Sequence, residues 1–240
     1  MGTTTATVLC IEDDSLLREF LVIQVEQFVG PGFRVIEAGD GRSGLRLARE
    51  HLPRLVVLDL MLPDMHGLAV AAGLSVLVPA PKVLILTSSA SDATLSRLPY
   101  TPIHGFVLKT SGHRAELEAA IRKLLSGETY FPTQILARID AAASDPDHFS
   151  KVLTTREIEL LPLFGYGWSD ETIARHTGLS LGAVATFERD LIKKLHLQGE
   201  RELMRWAQKH GFSDYAYEPH LPEPAAHGAE DGAPLHGDAR

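Results

Sequence analysis

Cysteine is almost missing from this chain: Cys10 stands alone among 240 residues. No intramolecular disulfide can form and no thiolate metal site can be built, which points to a reducing, cytoplasmic setting. Long hydrophobic runs are missing as well. No stretch reaches the ~18 uninterrupted apolar residues of a membrane span, so no membrane segment is expected. The N-terminus lacks a basic stretch, and its short apolar run meets Glu12, Asp13 and Asp14 at once. That suits a first strand and not a signal peptide. A basic excess is the third absence. The chain has 23 Lys and Arg against 31 Asp and Glu, a net charge of −8. Residues 1–125 are near balance, with 12 basic and 13 acidic side chains, as are residues 151–213, with 9 and 8. The acidity collects in residues 126–150, with 1 basic and 4 acidic, and in residues 214–240, with 1 and 6. Binding to nucleic acid therefore cannot rest on composition and needs a motif. No glycine-rich phosphate loop of either common kind occurs, which argues against a nucleotide site.

What the sequence does hold is an alternation of short apolar runs with helical periodicity. Val8–Ile11, Arg34–Ala38, Leu55–Leu58, Lys82–Leu86 and Phe106–Leu108 read as five strands. A helix is expected after each. The first carries Leu16, Leu17, Phe20, Leu21 and Val25 with Ser15 as its cap, and the second lies around Gly44–Ala48. The third spans Leu68–Leu77, a short fourth spans Ala93–Leu98 before Pro99 and Pro102, and the fifth spans Ala115–Leu125. Continuously apolar strands predict a parallel sheet covered on both faces. In such a sheet the binding crevice lies at the carboxyl ends of the strands. There the chain places Glu12 and Asp13 after the first strand, Asp59 after the third, Thr87 after the fourth and Lys109 after the fifth. Any one of these could be a solvated loop residue; four strands ending in this set are hard to dismiss. Three converging carboxylates repel unless a cation is present, and a hard divalent ion with oxygen ligands satisfies them. An ammonium and a hydroxyl beside them suit the oxygens of a transferred phosphoryl group.

These residues sit in IEDD (11–14), VVLDLMLPDMHG (56–67), LILTSS (84–89) and GFVLKTS (105–111). Over about residues 6–125 the chain closely resembles the receiver domain of two-component response regulators. The resemblance implies a flavodoxin-like (CheY-like) α/β fold with a five-stranded parallel sheet. It implies that Asp59 is the phospho-acceptor, attacking the phosphohistidine of a sensor histidine kinase. Glu12, Asp13, Asp59 and the main-chain carbonyl of Met61 would hold Mg²⁺, with Asp14 tuning their field. Thr87 and Lys109 would contact the phosphoryl group. Phe106 matches the aromatic switch position, which packs inward once Thr87 is drawn toward phosphate. A two-state surface of the fourth helix, fifth strand and fifth helix would read the modification. Met61, two residues after the acceptor, cannot position a water by hydrogen bonding, so a long-lived phosphorylated state is expected. One departure stands out. PYTPIH (99–104) replaces the small Gly-Ala segment before the fifth strand, and an altered dimerisation face is expected there.

The second half reads as all-helical. Ile135–Ala143 can extend helically, and Ser144–Ser150 reads as a flexible acidic linker. Helices are expected from Leu153 to about Phe164, where Pro162 should bend or end the helix, and over Asp170–His176 behind a Ser169 cap. After the turn Thr177–Ser180 come Leu181–Leu195, capped by Ser180, and Leu203–His210. Two helices around a Gly-containing turn form a helix-turn-helix outline. Residues 153–213 resemble the LuxR/NarL-type DNA-binding domain in Leu153-Thr154-x-Arg156-Glu157, Gly167-x-Ser169-x-Glu171-x-Ile173-Ala174, Leu179-Ser180, Val184 and Lys194-Leu195.

That resemblance implies transcriptional control, with a homodimer forming on phosphorylation and no enzymatic output. The residues expected to reach DNA are Ala185, Thr186, Arg189, Lys193, Lys194 and Arg175. Glu171, Ala185 and Phe187 stand where the family commonly has lysine, lysine and histidine, which removes positive or donor groups. The alternative is a degenerate helix-turn-helix domain that makes protein contacts instead. The expected division is a receiver over 1–125, a helical extension and linker over 126–150, the helix-turn-helix domain over 151–213 and a disordered acidic tail over 214–240. His220, His227 and His236 in that tail, and His176 and His196 before it, are expected to ligate nothing.

Overall fold

The computed structural model describes residues 5–109 and 113–213; residues 1–4, 110–112 and the acidic tail 214–240 lie outside the described residues. Five strands, β1 (Ala6–Ile11), β2 (Phe33–Ala38), β3 (Leu55–Leu58), β4 (Lys82–Thr87) and β5 (Gly105–Leu108), alternate with α1 (Ser15–Val29), α2 (Gly41–His51), α3 (Gly67–Ser75), α4 (Asp92–Arg97) and α5 (His113–Leu125). The sheet is all parallel in the order β2-β1-β3-β4-β5. Side chains alternate across a strand, so each run of apolar residues divides between two faces. Leu9, Ile11, Val56, Leu58, Val83, Ile85 and Phe106 meet α2, α3 and α4 on one side. Val8, Cys10, Leu55, Val57, Leu84, Leu86 and Val107 meet Leu21 and Val25 of α1 and Leu117, Ala120 and Ile121 of α5 on the other.

Local chemistry departs from the expectation at two points. The cap of α1 is Asp14, not Ser15: its carboxylate accepts from the N–H groups of Leu16 and Leu17 at 2.9 and 3.0 Å. A carboxylate at a helix N-terminus is the stronger cap because it also meets the helix dipole. The segment after α5 is partly receiver structure. Tyr130 pairs with the outer edge of β5, accepting from Phe106 N–H and donating to His104 C=O. Ile135 of α6 (Thr133–Ser144) is buried in the first core face. As expected, α4 stops before Pro99, and the chain beyond it turns through a short 3₁₀ helix, Leu98–Tyr100, on its way to β5.

The helical half comprises α7 (Phe149–Val152), α8 (Thr155–Gly165), α9 (Asp170–Thr177), α10 (Leu181–Lys194) and α11 (Glu200–Lys209). Ser169 and Ser180 cap α9 and α10 as expected, and Gly178 takes the left-handed conformation (φ 71°) that ends α9. Pro162 does not end its helix; α8 continues to Gly165. Packing outweighs the lost donor. Leu163, Phe164 and Gly165 are buried, a Cβ on Gly165 would lie 3.2 Å from that of Ala207, and Gln208 donates to Gly165 C=O at 2.9 Å. The two halves meet at α4. Ala93 is buried in the same cluster as Phe149 and Phe212, its N–H donates to His210 C=O at 3.1 Å, and Arg138 of α6 pairs with Asp92 at 2.7 Å.

Candidate functional site

The sheet brings the strand-end residues together because β1, β3, β4 and β5 are neighbours in register. Ladder bonds carry the pairing into the loops: Asp59 N–H donates to Ile11 C=O at 2.9 Å, and Lys109 N–H to Thr87 C=O at 2.7 Å. Glu12 and Asp59 are buried, at 2% and 6% exposure, Thr87 is fully buried, and Asp13 is exposed. One carboxylate oxygen of each acid lies within 4.8 Å of the others. The Lys109 ammonium donates to Glu12 Oε2 and Asp59 Oδ2, both at 2.6 Å. The other Asp59 oxygen, Oδ1, accepts from Met61 N–H at 3.2 Å.

One ammonium against three carboxylates leaves an excess of about two negative charges at a partly buried point. Burial, together with Asp59 and Asp13 nearby, raises the Glu12 pKa above its ordinary value despite the Lys109 bond. Burial alone would depress Lys109, but Asp59 and Glu12 outweigh it and raise its pKa, so the ammonium stays charged. Two excess charges on oxygen donors fit a divalent cation, and Glu12, Asp13 and Asp59 could hold one. Thr87 Oγ1 accepts from Ser89 N–H at 3.4 Å. Phe106 is already fully buried against the first core face, so the expected inward motion has no outward starting point in this structure.

Two residues missed in the sequence shape this site. Arg18 reaches back from α1 to donate to the carbonyls of Glu12 and Asp13 at 2.8 and 3.2 Å, tying the acidic loop to the helix. Its position one turn after Asp14 was the available signal. Gly67 opens α3 against the loop after β3, where a Cβ would stand 2.3 Å from Asp59 C=O. His66, just before it, caps α3 through Nδ1, and burial, then Arg97, pushes its pKa down to about 3.

On the helical half, Ala185, Thr186, Arg189 and Lys193 are exposed along one stripe of α10, and Arg175 is exposed on α9. The Arg189 side chain is 72% exposed, its nearest carboxylate being Asp190 at 3.9 Å. Thr186 Oγ1 donates to Gly182 C=O of its own helix, and Arg175 folds onto Glu171 C=O and Thr172. Phe187 is half-buried against the helical core, not presented outward. Lys194 departs from the expectation: its ammonium donates to both oxygens of the buried Glu157 at 2.8 and 2.9 Å. Glu157 also accepts from Thr154 N–H and Oγ1, completing the capping box of α8. Burial alone would raise its pKa, but Lys194 and Thr154 outweigh it and hold it below the ordinary range.

A buried carboxylate with flanking acids, a hydroxyl and a lysine, on a five-stranded parallel sheet followed by a helix-turn-helix domain, defines a class of signalling regulator. The response regulator receiver domain family matches residues 8–122. The transcription regulator BvgA of Bordetella pertussis is 35% identical over 210 residues, covering 86% of this chain and 98% of BvgA. VraR of Staphylococcus aureus is 27% identical with the same coverage. The chain belongs to the two-component response regulators with a receiver and a LuxR/NarL-type helix-turn-helix domain. A LuxR-family response regulator from Aurantimonas superposes at TM-score 0.52 with 29% identity, over 59% of this chain and all of that one. RcsB of Salmonella enterica bound to promoter DNA superposes at TM-score 0.56 over 86% of this chain and 99% of its own, at 19% identity. No helix among the described residues is long and apolar enough to cross a membrane.

Proposed function

We propose that the chain is phosphorylated on Asp59 by a sensor histidine kinase and controls transcription as a DNA-binding homodimer. The observation that carries this is the placement of the Asp59 carboxylate, buried beside Glu12 and gripped by Lys109 at 2.6 Å, with Thr87 at the end of the adjoining strand. A carboxylate oxygen of Asp59 forms its bond to phosphorus as the phosphorus–nitrogen bond of the donor breaks, and the imidazole leaves with the electron pair. Mg²⁺, held by Glu12, Asp13, Asp59 and the Met61 carbonyl, would supply charge neutralisation for the incoming phosphoryl oxygens. Lys109 exchanges a carboxylate oxygen for a phosphoryl oxygen, and Thr87 donates its hydroxyl proton to another.

Moving Thr87 draws on the loop that leads to α4. That loop ends at Asp92 and Ala93, which hold Arg138 and His210. The modification thus reaches the junction of the two halves through five residues of chain. On the output side, Arg189 and Lys193 are the exposed cations of α10, and work on DNA would put the protein in the cytoplasm. The sparse charge of that stripe, with Ala185 at its N-terminal end and Lys194 held by Glu157, is what favours the second reading, a helical domain that contacts protein.

Selection from random DNA separates the two. The phosphorylated chain is expected to enrich a roughly two-fold symmetric site with salt-dependent affinity. Asp59→Asn is expected to lose the gain from a phosphodonor. No enrichment over non-specific DNA, alongside full phosphorylation, would assign the output to protein contacts.

A further inference from the structure

Between the receiver and the helical domain lies a cavity of about 860 Å³, in the size range of small-ligand pockets and on the order of 10 Å across. Its receiver wall includes Met65, Arg97 and Tyr100, and its helical wall includes Arg156, Ile158 and Phe212. Tyr100 is 88% exposed, a large aromatic left uncovered. The charges on the walls are mostly spent. Arg156 pairs with Glu159 at 3.0 Å, and Asp64 accepts from the N–H groups of Gly41 and Arg42 at the start of α2. Arg97 has no carboxylate partner among the described residues. The cleft therefore offers apolar and aromatic surface with Arg97 unpaired by any described carboxylate and Asp64 turned to backbone N–H groups, which fits an aromatic peptide that brings a carboxylate to Arg97.

This chain supplies such a peptide at the right place. Phe212 lines the cavity, and the acidic tail begins two residues later. Its first part, DYAYEPHLPEP (214–224), alternates Asp214 and Glu218 with Tyr215 and Tyr217, and the whole tail carries 6 acidic residues against 1 basic. At about 3.3–3.6 Å per residue, an extended chain could carry Tyr215 and Tyr217 up to roughly 15 Å from Ser213, a reach matching the cavity. Pro219, Pro222 and Pro224 bring no N–H that burial would leave unpaired. We propose that residues 214–224 occupy this cleft as an intramolecular ligand, with a tail carboxylate on Arg97 and the tyrosines beside Tyr100 and Phe212. Docked there, the tail touches both domains and clamps one to the other. The inference does not depend on phosphorylation of Asp59.

A fluorescein-labelled peptide of residues 214–231 tests it by anisotropy against the intact chain and a chain ending at Ser213, which keeps every described element. Saturable binding to the shortened chain is expected. Binding to the intact chain should be at least about tenfold weaker, because its own tail competes at millimolar effective concentration. Arg97→Glu in the shortened chain, and Tyr215→Ala with Tyr217→Ala in the peptide, should each weaken binding about tenfold. Arg97 is exposed, so its replacement leaves the fold intact. Absence of saturable binding, equal binding to both chains, or equal binding of a scrambled peptide would overturn the proposal. So would a concentration-dependent dimer of the intact chain that Arg97→Glu abolishes, since a second copy would then own the cleft.

Discussion

Replacing Lys194 with methionine removes the one cation that reaches the buried Glu157 among the described residues. In the wild-type chain that carboxylate accepts from Thr154 N–H at 2.7 Å, Thr154 Oγ1 at 2.9 Å and the Lys194 ammonium at 2.8 and 2.9 Å. The Glu157 side chain is 6% exposed and that of Lys194 is 35%. Breaking a fully buried pair costs about 3–5 kcal/mol, and deleting a hydrogen bond to a charged group about 1.5–3 kcal/mol. Solvent reaches a third of Lys194, which screens the pair and pulls the figure toward the lower range. The expected loss is about 2 kcal/mol. Both tryptophans, Trp168 and Trp206, lie in the helical domain, so urea denaturation followed by their fluorescence reads that domain alone. Glu157→Gln in the Lys194→Met background should recover part of the loss, because a neutral amide needs no cation. The pH dependence has a definite sign. Glu157 is held below its ordinary pKa when folded, so its stabilisation is full above the unfolded value near ~4.3 and fades as pH falls toward the folded value. Lys194→Met should flatten that acid limb. The same variant should leave the salt slope of DNA binding unchanged, while Lys193→Met reduces it by about 0.9. A Lys194→Met chain within about 0.5 kcal/mol of wild type, with a shallower salt slope, would show that Lys194 serves DNA and not the fold.

Three further outcomes are expected. Asparagine at position 66 keeps a capping acceptor but removes the imidazole. His66 has a folded pKa of about 3 against ~6.5 unfolded, so wild-type receiver stability should fall by about 2 kcal/mol from pH 7 to pH 5, and His66→Asn should remove that part; identical circular-dichroism denaturation curves for the two across that range would refute it. Gly67→Ala forces a Cβ to 2.3 Å from Asp59 C=O, so a loss of about 2–3 kcal/mol and slower phosphoryl uptake are expected, checked by melting and by phosphoprotein gels. Arg189→Ala should weaken binding to the selected DNA site by about 1–3 kcal/mol in gel-shift titrations, with little change on non-specific DNA.

How legible the molecule was in its sequence depended on whether a residue acts along the chain or across it. The strand runs and their polar ends were readable because a doubly covered parallel sheet needs continuous apolar strands. Its topology then gathers the strand ends, which is why Asp59, Glu12 and Lys109 converge as expected. Serine caps at Ser169 and Ser180 were readable for the same local reason. Asp14 is not legible as the cap, because its neighbours Glu12 and Asp13 group it with the acidic cluster. Pro162 misled because propensity marks it as a breaker, while the burial of Leu163 and Phe164 against the neighbouring helices lies beyond any local rule. Lys194 misled in the opposite direction. Its partner Glu157 lies 37 residues away, and no periodicity on α10 distinguishes a lysine turned toward that partner from one turned toward DNA. The docking of Ala93 into the helical core is likewise a tertiary fact, with no local signature in a six-residue helix.

A single carboxylate, that of Asp59, is expected to take up phosphate. The most direct measurement incubates the chain with acetyl phosphate and Mg²⁺, traps the acyl phosphate by borohydride reduction and maps the modified peptide by mass spectrometry. One phosphoryl group per chain is expected, on Asp59, dependent on the divalent ion and absent from Asp59→Asn. Modification at another residue, or undiminished uptake by Asp59→Asn or without a divalent ion, would contradict it.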